Sequence, residues 1–316
     1  MVEMNSRKAA IVGCGFVGSA SAFALMESGL FSELVLIDAD RNRAEGEALD
    51  ISHGLPFSKP MQIYAGDYED ISDATVVIVT AGAGQKPGET RLDLVKKNVA
   101  IFKSIIPQIA KYNQSGILLI VANPVDILTY VAKQLSGFPD NRVFGSGTVL
   151  DTARLKYLLG EHLGVDSRSI HAFIIGEHGD SEIAAWSSAN VSGVPLYKFC
   201  EMRGHFEHEK ATKEIAEGVK NSAYEIIEKK KATYYGIAMS VKRICEAIVR
   251  DEKSILPVSS IQDTDEISGV ALSMPAIVGK NGVEDLVPIE LDADEKAALK
   301  QSADTLRAVL NDVLEG

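Results

Sequence analysis

Short apolar runs rich in β-branched residues recur through the first half of the chain, at 8–12, 34–37, 62–65, 75–80, 117–121 and 142–144. Near-continuous apolar runs of this length predict strands buried on both faces, and helical stretches between several of them predict a parallel sheet covered by helices. Six such strands suit a doubly wound, Rossmann-type nucleotide domain, which makes the fold class α/β. The alternation ends near residue 145, so the chain divides into 1–145 and 146–316.

The pattern changes in the second part, which reads as a mixed α+β substrate domain. A helix is predicted over 149–159, a strand over 170–175, and irregular or β structure over 186–195. A long charged helix over 207–231 and a smaller helix over 233–248 follow. Strands at 254–261, 270–274 and 276–278, with Asn281-Gly282 as a turn, predict an antiparallel sheet. Leu299, Ala303, Leu306, Leu310 and Val313 form one stripe, the mark of an amphipathic helix packed on the body. No internal repeat, low-complexity tract or proline-rich linker interrupts the chain.

Composition narrows the function. At 316 residues and 46% hydrophobic content the chain can build a full core. A net charge of -12 argues against nucleic acid and anionic membranes as partners, so a small anionic substrate needs a local cluster of cations. No secretory leader or membrane-length apolar run is visible, and a cytoplasmic location is expected. Cys14, Cys200 and Cys245 are far apart, which suits reduced thiols rather than disulfides or a zinc site. The six histidines show no metal-binding spacing, so no metal is expected.

Candidate chemistry lies at strand ends. After the first strand, Gly13, Gly15 and Gly18 open a helix. The first glycine allows a tight turn, the second lets backbone N–H groups approach a pyrophosphate, and the third lets helix and strand pack closely. Asp38 ends the second strand about 20 residues past Gly18, where an acid accepts from a ribose diol and repels a 2'-phosphate, favouring NAD over NADP. After the fourth strand, the glycine-rich loop 81–91 ends in Arg91. It is either a lid that carries a cation or a solvated loop whose arginine pairs within the next helix. Asn123, before Pro124, is a turn residue unless a site requires its amide.

Asp151 and Arg154 share a helix face, as a surface ion pair or as charges facing a site. His178 stands between Glu177 and Gly179 at the end of an apolar run, as a structural histidine or an acid/base group. The run Lys229-Lys230-Lys231 is best read as cations favoured at a helix C-terminus.

Taken together, Gly13 to Gly18, 85–91, Asn123-Pro124-Val125-Asp126, 150–154 and Gly176-Glu177-His178-Gly179-Asp180 resemble the L-lactate dehydrogenase family of the lactate/malate dehydrogenase superfamily. The resemblance runs over essentially the whole chain and implies NAD-dependent interconversion of pyruvate and L-lactate. It implies that His178 gives and takes the proton, that Asp151 orients it, and that Arg91 polarises the substrate carbonyl. Arg154 then grips the substrate carboxylate, with Asn123 and Thr233 beside it. Gly13, Gly15, Phe16, Val17, Gly18, Asp38, Ala81, Gly82, Val121, Asn123 and Ser146 are implied along the cofactor.

Gln85 stands where malate-specific relatives carry arginine. A neutral amide leaves a buried second carboxylate unpaired, which favours pyruvate over oxaloacetate, with longer 2-oxo acids still open. The family also implies a homotetramer or a dimer. Lys156 and His171 match an effector site for fructose 1,6-bisphosphate, but lysine lacks the planar fork that clamps phosphate, so activation is expected to be weak or absent. Two rival readings remain at this stage, a dehydrogenase of malate or branched 2-hydroxy acids and a non-catalytic NAD-binding protein.

Overall fold

The structure, a computed structural model, describes residues 4–84 and 88–314. Gln85 lies outside the described residues. In the first half β1 (Asn5–Val12), α1 (Phe16–Ser28), β2 (Glu33–Ile37), α2 (Arg41–Ser52), β3 (Gln62–Ala65) and β4 (Ala74–Val79) follow in turn. Then come α3 (Arg91–Tyr112), β5 (Ile117–Ile120), α4 (Val125–Ser136) and β6 (Val143–Gly145).

The six strands pair in parallel in the order β3-β2-β1-β4-β5-β6. Alternation along the buried second half of β1 explains why residues 9–12 are all apolar. Ala9 and Ile11 join a core with α1 and α2, while Ala10 and Val12 join a second core with α3 and α4. Because the strands run the same way, their carboxyl ends share one edge, and the turns after β1, β2, β4 and β5 gather there.

The second half begins with α5 (Val149–Leu163), followed by the short strands β7 (Ile170–His171), β8 (Ile174–Ile175), β9 (Ile183–Ala184), β10 (Asn190–Val191) and β11 (Val194–Pro195). Helices α6 (Leu196–Met202), α7 (His208–Lys230) and α8 (Tyr235–Val249) come next. The chain closes with β12 (Ser254–Asp263), β13 (Ser268–Gly279), β14 (Gly282–Leu286) and α9 (Ala293–Leu314). The stripe on α9 is buried as expected, packed with α3 and α4 on one face of the sheet.

Three expectations need correction. The segment 170–175 is two strands, because β7 pairs with β10 while β8 pairs with β9 in a separate sheet. The antiparallel strands do not form a sheet of their own. Ser259 of β12 pairs with Gly145 of β6, so β12, β13 and β14 extend the parallel sheet to nine strands. Finally, 270–274 and 276–278 are one strand. Pro275 lies opposite Pro257, and their carbonyls turn outward to accept from Val287 N–H at 2.8 Å and Thr148 N–H at 3.2 Å. Neither proline therefore breaks a hydrogen bond within the pair, and the interruption expected from sequence does not occur.

Candidate active site

A cavity of about 800 Å³ opens at the carboxyl edge, lined by Gly13, Gly15, Asp38, Ala81 and Gly82. Gly13 has φ +107°, and a Cβ there would lie 2.4 Å from the Ala81 backbone nitrogen. Only glycine suits such a turn. At Gly18 a Cβ would lie 1.9 Å from the Gly13 carbonyl oxygen, so this glycine allows α1 to pack on the turn. Gly15 precedes the first turn of α1 and faces open space. The exposed N–H groups of a helix start and a glycine without a side chain fit the charge of a pyrophosphate.

Asp38 accepts from the Cys14 N–H at 2.6 Å and the Asp40 N–H at 2.9 Å, which hold its carboxylate at the cavity wall. Arg41 and Arg43 also line this cavity. Arg41 is engaged by Glu45 at 2.9 Å and Asp67 at 3.0 Å. This donor set fits a dinucleotide with a free ribose diol.

Other cofactor candidates stand outside that cavity lining. Phe16 turns outward and stacks on Tyr234 with ring centroids 5.4 Å apart. Val17, in the first turn of α1, is half-buried against the core. Val121 and Ser146 are buried, their N–H groups bonded to Val79 and Ile120 carbonyls at 2.9 and 2.8 Å.

Asn123 belongs to a second cleft, formed with Arg91, Asp151, Arg154 and His178. Its carbonyl accepts from Asn98 at 2.8 Å. The histidine is held by its whole turn. Gly176, at φ +85°, exchanges two 2.9 Å backbone bonds with Ser273, and the buried Ser302 hydroxyl of α9 accepts from the Glu177 N–H at 2.9 Å. The His178 N–H donates to Asp126 at 2.7 Å. The other Asp126 oxygen accepts from the Ser259 hydroxyl at 2.6 Å, and burial, against these two bonds, pushes this carboxyl up to about 6.

The ring Nδ1 of His178 lies 2.5 Å from one oxygen of Asp151, and Arg154 donates to the other at 2.7 Å. Burial disfavours the charged ring, but the Asp151 carboxylate beside it prevails and raises His178 to about 9. Asp151 is held below the usual carboxylate range, since His178 and Arg154 together outweigh its burial. With Nδ1 occupied, Nε2 is the ring nitrogen left to exchange a proton with a bound molecule.

Arg91 does not pair within its own helix. The first turn of α3 is capped by Thr90 and Asp93, while Arg91 reaches across to Glu177 and to Asp180 at 3.0 Å. The loop reading is therefore corrected: this arginine is tied to the two acids flanking His178. Thr233 lies between α7 and α8 and is not part of the cleft lining. Lys156 is half-buried on α5, and His171 is exposed on β7.

Sequence reasoning assigned no task to Asp126 beyond its motif, and none to Glu182, Lys220 or Tyr224. Lys220 and Tyr224 of α7 bind Asp180 at 3.2 and 3.0 Å. Asp126 carried a signal, an acid on an otherwise apolar helix face; the α7 residues carried none, because that helix is charged along its length.

Residues 7–145 match the lactate/malate dehydrogenase NAD binding domain, and residues 148–316 match the lactate/malate dehydrogenase alpha/beta C-terminal domain. The chain belongs to the lactate/malate dehydrogenase family. Among curated relatives of this family, the L-lactate dehydrogenase of Acetivibrio thermocellus is 54% identical over 305 residues, covering 96% of each chain. L-lactate dehydrogenase 1 of Clostridium acetobutylicum is 52% identical over 310 residues, covering 98% of this chain and 99% of its own.

The solved structure of a minor L-lactate dehydrogenase from Enterococcus mundtii in its ligands-bound form superposes with a TM-score of 0.94 at 45% identity, covering 98% of this chain and 99% of that one. In this lactate/malate dehydrogenase family member, the NAD-binding part supplies Arg91 and Asn123 to the cleft and the C-terminal part supplies Asp151, Arg154 and His178. Among the described residues, no helix is long and apolar enough to cross a membrane.

Proposed function

We propose that the chain is an NAD-dependent L-lactate dehydrogenase that interconverts pyruvate and L-lactate, with His178 as proton donor and acceptor. The observation that carries this reading is the carboxylate of Asp151 shared between His178 Nδ1 and Arg154 in one cleft. The turn at Gly13, Gly15 and Gly18 with Asp38 would hold NADH, which would supply the hydride for reduction of a ketone whose oxygen gains negative charge.

The chain's own groups meet that charge. His178 Nε2–H delivers a proton to the substrate oxygen, and Asp151 keeps the ring in the orientation and charge state that make this possible. Arg154 presents further guanidinium N–H groups to the substrate carboxylate, fixing its orientation as well as its affinity. Arg91, now on Glu177 and Asp180, supplies the cation that polarises the carbonyl once it turns toward substrate. In the reverse direction the neutral ring takes the hydroxyl proton through the same nitrogen.

NADH consumption with pyruvate, oxaloacetate and 2-oxoisocaproate tests the substrate. Pyruvate is expected to give the highest kcat/KM, because Gln85 offers no charge to a second carboxylate. His178→Ala should lower turnover about 100-fold or more while NADH still binds; retained turnover refutes the assignment. A multimer, tetramer or dimer, is supported by the exposed Phe23, Leu49 and Met239 on α1, α2 and α8. Light scattering on the eluting protein distinguishes these from a monomer.

A further inference from the structure

Glu182 is a buried acid that the chemistry above leaves without a task. The turn that presents His178 folds back through a Glu182 N–H to Gly179 carbonyl bond of 3.2 Å. That places side-chain polar atoms of Glu182, His178 and Asp151 within 4.8 Å of one another. Glu182 is 7% exposed, and its Oε1 is buried with no hydrogen-bond partner.

The cations near it are committed elsewhere, Arg154 to Asp151 and Lys220 to the Asp180 carbonyl. Glu182 lines the His178 cleft and also an adjoining cavity of about 310 Å³, which it shares with Lys220 and with Asp294 and Glu295 of α9. Asp126 of α4 accepts from the backbone N–H of His178, and Arg91 of α3 faces the cleft paired with Glu177 and Asp180. A carboxylate so placed has one nearby group whose charge changes during the proposed reaction, the imidazole of His178.

We propose that Glu182 is a positioning residue for His178, whose carboxylate, beside the Asp151–His178 pair in the wall of the same cleft and nearly closed to water, keeps the ring protonated to higher pH than Asp151 alone would. This deepens the proposed dehydrogenase reading and rests on it. Burial first, and then the charge of Asp151, push Glu182 up to about 8, just below the value of about 9 for His178. As pH rises Glu182 loses its proton first, and the new negative charge opposes loss of the proton from the ring. The groups therefore titrate as a coupled set rather than singly.

The test is Glu182→Gln in the full chain, with pyruvate reduction and lactate oxidation followed against pH. The alkaline limb of kcat/KM for pyruvate is expected to move down by about one pH unit, with the acid limb of lactate oxidation moving the same way. Glu182→Asp, which keeps the charge, restores both limbs toward their original positions. A lower plateau with unmoved limbs is the signature of a merely structural role and overturns the proposal. So does an aspartate variant that shifts as far as the glutamine one.

Should the glutamine variant fail to fold, the wild-type protein with 13C-labelled histidine serves instead. His178, assigned by the signal lost in His178→Asn, should titrate with two inflections, and a single inflection overturns the coupling. Absence of pyruvate turnover in the wild type would refute the dehydrogenase reading, whereas the histidine titration reads the coupling independently.

Discussion

The Asp151 carboxylate meets His178 Nδ1 at 2.5 Å from the buried face of α5, 27 residues earlier in the chain. One oxygen fixes the ring while the other is held by Arg154 at 2.7 Å, so the acid cannot rotate away from the histidine. Asp151→Asn keeps the shape but removes the charge that favours the imidazolium. It is expected to lower kcat/KM for pyruvate by about 10²–10⁴-fold, measured by steady-state kinetics with NADH binding as the control.

Proton supply sets the pH dependence. Reduction requires a charged His178, so kcat/KM for pyruvate should fall as pH rises through about 9, while lactate oxidation should gain over the same range. Stability follows the same sign. The folded value lies above the ordinary 6.5, so the stabilisation from this ring is fully present below that value and is lost as pH rises through about 9. Denaturant titrations on either side of this window measure it, and His178→Asn should flatten the change.

Asp126 holds the backbone of the histidine turn by accepting from the His178 N–H and the Ser259 hydroxyl. Asp126→Ala strands both buried donors and should cost about 1–3 kcal/mol of stability, together with a loss of turnover. Asparagine can accept from the N–H and donate to the hydroxyl, so Asp126→Asn should recover most of both. The native acid titrates at about 6 when folded and near 3.8 unfolded, so its contribution favours folding at low pH and is lost as pH rises through about 6. The asparagine variant should lack that dependence in denaturant titrations.

Lys231 closes α7 with φ +72°, a left-handed conformation that suits glycine. Lys231→Gly removes the clash between Cβ and backbone at the expense of greater freedom in the unfolded chain. A net gain of about 0.5–1 kcal/mol is expected, read as a higher thermal midpoint with unchanged pyruvate kinetics.

Local chemistry carried much of this protein in readable form. The second half of β1 and the strands β2, β4, β5 and β6 bury apolar residues on both faces because the sheet is covered on both sides, whereas the edge strand β3 is only half-buried; the glycines at 13 and 18 are required by a positive φ and by a contact that no Cβ could survive. Such constraints act on single residues and their neighbours, so they leave a mark in the sequence. The candidate roles of His178, Asp151, Arg154 and Arg91 were legible only through several motifs in order, since each residue alone had an ordinary structural explanation.

Tertiary structure decided what lies between distant segments. It joined β12 to β6 in one sheet, paired Pro275 with Pro257, and drew Arg91 to Glu177 and Asp180 across the cleft. It also set Glu182 beside His178, where burial and the charge of Asp151 change the chemistry of a residue that is unremarkable in sequence. Periodicity reports which face of an element is buried. Which other element covers that face, and what charges it brings, depends on packing across long separations that no local pattern records.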